Sequence, residues 1–142
     1  MIFRIGGLGA RQRGRALALW VCCVSATGCQ EEASPTFAAD IQPLLDESCL
    51  CHMEGSSGTM VAPTLTLNAD SAFGELVDTP STQLPSMARV TPGDPDASYL
   101  WRKIENTHLD AGGSGTVMPP TGQLSAGKRD TIEMWIADGA QP

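Results

Sequence analysis

The sequence predicts a small all-α domain of about four short helices joined by long loops. Three observations carry this. Apolar residues recur at helical spacing in four separated segments, no pair of alternating segments suggests a hairpin, and the connections between the segments are rich in Gly, Pro and Ser.

Taken in order, the first helix follows Thr36, a residue suited to capping, and sets Phe37, Ile41, Leu44 and Leu45 on one face. Pro43 falls inside that pattern and is expected to distort or shorten it. After Cys49-Leu50-Cys51-His52 comes a Gly/Ser turn, Gly55 to Gly58, and an irregular stretch holding Thr64 to Leu67. A short helix is expected at Asp70 to Val77, with Phe73, Leu76 and Val77 apolar. The Pro- and Ser-rich stretch from Asp78 to Asp94 reads as a loop. Asp96 is placed to cap a third helix carrying Leu100, Trp101 and Ile104. Residues 106–124 form a Gly- and Pro-rich loop around Met118-Pro119-Pro120. The last helix starts after Ser125, buries Ile132, Trp135 and Ile136, and stops at Gly139. Loops this long in so small a domain need a surface to pack on. With few aromatics to build a core, a buried planar cofactor would supply one.

The first 28 residues read as an export signal. Arg4, Arg11, Arg13 and Arg15 precede an apolar run from Ala16 to Ala26 that is too short to span a bilayer. Ala26-Thr27-Gly28-Cys29 resembles a bacterial lipobox, which makes Cys29 the expected lipidation site and residues 29–36 a lipidated polar tether. The chain would then be exported and held by its lipid at the periplasmic face or cell surface, and Gln30 after the cysteine favours the outer membrane. Beyond the signal stand sixteen acidic and five basic residues, a formal charge of −11 over 114 residues. No basic patch suited to nucleic acid remains. Nor does any serine–histidine–acid set, phosphate loop or carboxylate pair stand out, so an enzyme is not expected.

The chemistry is concentrated in few residues. With Cys29 lipidated, only Cys49 and Cys51 are left for other work. In an oxidising compartment such a pair is expected to form a disulfide, bind metal or become modified. Cys49-Leu50-Cys51-His52 is one residue short of C-x-x-C-H, the signature of covalent haem attachment. The two histidines are His52 and His108; His108, beside Asn106 and Asp110, is expected in solvent. Trp101 and Trp135 are expected in the core, Trp135 against any bound ring. A Cys/Cys/His/Met set also suits a soft ion such as copper, or zinc.

Four passages together resemble the small cytochrome c domains of planctomycete type, within the single-haem c-type cytochromes. They are Ile41 to Leu45 leading to Cys51-His52; Val90 to Ser98 followed by Leu100 to Ile104; Met118-Pro119-Pro120; and Leu124-Ser125 leading to Trp135-Ile136 and Gly139-Ala140. The resemblance spans Phe37 to Ala140 and implies a cytochrome c-like domain over residues 37–142. It further implies haem c with His52 as proximal ligand, Met118 as distal ligand and Cys51 as a thioether anchor. Its partners would be redox proteins and its work one-electron transfer. A haem-free protein keeping the fold as a binding module is the alternative.

The departure from the family pattern lies at the cysteines. In register with Cys51-His52, Ser48 stands where the family has its first cysteine. On an α-helical turn, residues three apart lie about 60° from each other and residues two apart about 160°. A single thioether through Cys51 is therefore the more economical expectation, with Cys49 able to join only if the turn at Leu50 is not α-helical.

Overall fold

A computed structural model describes residues 33–55 and 65–142. The expected signal segment 1–28, the expected lipidation site Cys29, residues 30–32 and residues 56–64 lie outside the described residues. Among the described residues the architecture is helical with no β-strand. Only two isolated bridges, Val77 with Val90 and Pro80 with Ala88, tie the central loop to itself. No described helix is long and apolar enough to cross a membrane.

The chain enters its first helix through a π-helical turn, Phe37–Ile41, that runs directly into α1, Gln42–Ser48. Thr36 begins it as expected: its hydroxyl accepts from Ala39 N at 3.4 Å, while Asp40 returns a carboxylate to Thr36 N at 2.8 Å. Pro43 explains the wide turn. Lacking an N–H, it cannot bond back to residue 39, and the ladder is bridged by Gln42 N reaching five residues back to Phe37 O. The proline thus distorts the helix without ending it. Phe37, Ile41, Leu44 and Leu45 are all buried on one face.

The second helix, α2 (Ala72–Leu76), is shorter than the Asp70–Val77 segment expected, because Val77 leaves it to bridge to Val90. The third, α3 (Tyr99–Ile104), follows Ser98 rather than Asp96. Pro95 turns the chain so that Asp94 Oδ1 takes Ala97 N at 2.9 Å and the fully buried Ser98 hydroxyl donates to Asp94 O at 2.8 Å. Left outside the helix, Asp96 pairs with Arg102 at 3.1 Å. The fourth, α4 (Ala126–Ala137), is capped by Ser125, whose hydroxyl accepts from Lys128 N at 3.4 Å. It closes in a Schellman motif, with Gly139 at φ 97° and Ala140 N bonded to Trp135 O at 2.8 Å.

These elements share one core. Phe37 meets Phe73 edge-on at 5.2 Å between centroids and lies 5.6 Å from Trp135. Ile132, Trp135 and Ile136 of α4 pack with Ile104, Val90, Leu76 and Leu67. Gln141 O accepts from both Phe37 N and Trp135 Nε1, at 2.9 and 2.8 Å, which fastens the segment after α4 to the first helix. Trp101 packs partly buried at the edge of this core.

Candidate functional site

Beside the core lies a small, solvent-open cleft of about 120 Å³. Its apolar lining includes Leu65, Leu67, Leu76 and Leu100, beside Tyr99. Three of the sulfur and nitrogen groups singled out in the sequence line it: Cys49, His52 and Met118.

The turn after α1 positions the first two. Cys49 leaves the helix with φ −120° and ψ 31°, and Leu50–His52 form a single 3-10 turn closed by His52 N donating to Cys49 O at 2.8 Å. His52 O then accepts from Leu67 N at 2.9 Å, which ties the apolar lining to the turn. Burial holds the His52 ring below its ordinary pKa, with the Leu65 backbone opposing and Arg89 assisting. The neutral ring is the form with a lone pair to offer a metal. Among the described residues, its buried Nδ1 has no hydrogen-bond partner.

Cys49 is half-buried against the core, and desolvation, with Cys51 nearby, pushes its thiol up to about 11 despite the pull of Lys128. Cys51 is exposed and does not line the cleft; the two sulfurs form no disulfide. The Ser48 hydroxyl accepts from Lys128 Nζ of α4 at 2.9 Å.

Met118 reaches the cleft from the long loop, and that loop is held by α3. Met118 N donates to Lys103 O at 3.2 Å, while Lys103 Nζ donates to Ser114 O and Thr116 O at 2.7 and 2.8 Å. The Tyr99 hydroxyl accepts from Ser114 N at 3.1 Å. His108 belongs to the same clamp, which corrects its expected solvation. The ring is 1 % exposed, lies edge-on to Tyr99 and has Nε2 3.1 Å from Gly115 O. The loop folds back over the ring, and its polar neighbours in sequence do not keep it in water.

Lys103 and Arg89 line the cleft although nothing in their chemistry singled them out. For Lys103 a signal existed: it stands four residues after Tyr99, on the same helical face. Arg89 lies in an irregular segment where no periodicity applies; it pairs with Glu75 at 2.8 Å. Trp135 is fully buried in the core and is not among the cleft residues.

The chemistry of the lining donors, an imidazole and a thioether among apolar side chains, is the kind that suits a haem iron. The imidazole has an orphaned nitrogen and the thioether comes from a distant loop, while Arg89 and Lys103 provide cationic groups. Among the described residues no three His, Cys, Asp or Glu side chains gather as a metal centre, so a tetrahedral site built from such ligands is not formed there. No family model, curated protein or solved structure matches this chain.

Proposed function

We propose that this chain is an exported, lipid-anchored one-electron carrier that holds a single haem c in the cleft. The observation that supports the reading most is that His52 and Met118, far apart in sequence, line the same mainly apolar cleft. His52 and Met118 would hold the iron, and a cysteine of the Cys49–His52 segment would anchor the ring. Haem bound in this way supplies a reversible one-electron couple whose potential the thioether ligand raises. The chain's own part is to keep the imidazole neutral, exclude water with Leu65, Leu67, Leu76 and Leu100, and hold Met118 in place through Lys103. No substrate is turned over, and partners would be redox proteins reached from the membrane surface.

The ligand assignment is tested by Met118→Ala. The oxidised wild-type protein is expected to show the near-infrared Met–iron band and the variant to lack it. An unchanged spectrum overturns the assignment.

A second reading has one observation in its favour. A thiol, an imidazole and a thioether line the same cleft, a donor set that suits a soft ion such as copper. A colourless protein that takes up one equivalent of Cu(I), with uptake lost in His52→Ala, would favour it over haem.

A further inference from the structure

We propose that Cys49 alone forms the thioether to the haem and that Cys51 remains an unmodified surface thiol. The inference rests on the haem-carrier reading and reverses the preference for Cys51 that register alone suggests.

The lining of the cleft decides it. Cys49 and His52 are three apart and closed by the His52 N to Cys49 O bond at 2.8 Å. The Cys49 thiol and the His52 imidazole both line the cleft. Cys51 is exposed and lies outside the cleft. The first cysteine of the shortened C-x-x-C-H signature, and not the second, thus shares the cleft with the imidazole.

Ser48, the residue in register with the family's first cysteine, cannot compete. It carries no thiol and is engaged by Lys128 Nζ at 2.9 Å on the α4 side.

The bond-forming step is self-contained. The Cys49 thiol adds across a haem vinyl group: an S–C bond forms, the C=C π bond breaks, and the thiol proton moves to the neighbouring vinyl carbon. No oxidant or reductant is consumed. One vinyl group reacts and the other stays intact.

The test uses the full chain produced in a bacterial host proficient in cytochrome c maturation. Fragmentation mass spectrometry of the wild-type protein, after alkylation with iodoacetamide, is expected to find haem on Cys49 and carbamidomethyl on Cys51. Cys51→Ala is expected to keep wild-type covalent haem, and Cys49→Ala to release its haem into acid-acetone. Haem mapped to Cys51, or to both sulfurs, overturns the proposal while leaving the carrier reading intact. A wild-type protein without covalent haem overturns both. Because the wild-type map names the anchor directly, a Cys49→Ala chain that fails to fold does not obscure the answer.

Discussion

Cys49 and Cys51 stand two residues apart and in different surroundings, and the difference can be read in the protein before any cofactor is attached. Burial pushes the Cys49 thiol up to about 11, whereas Cys51 is exposed. In protein made without maturation, iodoacetamide at pH 8 is expected to label Cys51 first, with Cys49 labelling accelerating as pH approaches 11. Equal rates at pH 8 would show that the turn does not separate them. The same shift acts on stability. The folded-state value lies above the 9.0 of an ordinary cysteine, so the buried neutral thiol contributes stability that is present below pH 9 and lost as pH rises toward 11. Wild-type haem-free protein is expected to lose stability over that window more steeply than Cys49→Ala, measured by urea unfolding. The sequence shows that these two sulfurs and His52 matter, but not which sulfur shares the cleft with the imidazole. That depends on how the turn after α1 seats against the cleft, where His52 O accepts from Leu67 N at 2.9 Å.

Between α3 and the Met118 loop, a few polar contacts replace an apolar core. Lys103 is 6 % exposed and supplies two charge-assisted hydrogen bonds to loop carbonyls, and burial lowers the pKa of its amine. Lys103→Met keeps the bulk but removes the donor to Thr116 O and leaves Ser114 O with the Tyr99 hydroxyl alone, at 3.1 Å, a loss of about 1–3 kcal/mol. The expected result is a lower urea midpoint together with a weakened Met–iron band; a stable variant with an intact band would remove Lys103 from the role. Gly113 tests the same clamp sterically. A Cβ there would sit 2.5 Å from the Tyr99 hydroxyl and 2.8 Å from His108 O, and the second atom is backbone that cannot swing aside. Gly113→Ala is therefore expected to destabilise the loop, read as faster amide exchange over residues 108–118. An unchanged exchange profile would show that the loop has room. Elements were legible in the sequence wherever an apolar stripe or a cap stood in a regular segment, as at Phe37 to Leu45 and at Ser125. They were not legible where side chains compete for one turn. Asp94 and Ser98 take the positions that a linear reading assigns to Asp96, and the burial of His108 arises only because the loop closes over it.

On the scale of the whole molecule, one core of α1, α2, α3 and α4 residues supports a cleft that draws Cys49 and His52 from the turn after α1 and Met118 from the loop before α4. The all-α class was readable because helical periodicity alone separates it from a strand-based fold. The convergence of His52 and Met118 was readable only through resemblance, since no periodicity relates residues in two irregular segments. If residues 29–142 form the mature chain, their formal charge of −11 would suit a partner with a basic face, reached by electrostatic steering. Electron transfer to such a partner is expected to slow as ionic strength rises, measured by stopped flow against a basic redox protein; a salt-independent rate would remove steering from the picture. The central claim is that the cleft carries covalent haem. The direct measurement is the pyridine haemochrome spectrum of the acid-acetone-washed full chain, recovered from a host proficient in cytochrome maturation. One haem per chain, with a band displaced from that of a two-thioether cytochrome, is the expected result. A folded, colourless protein would contradict it.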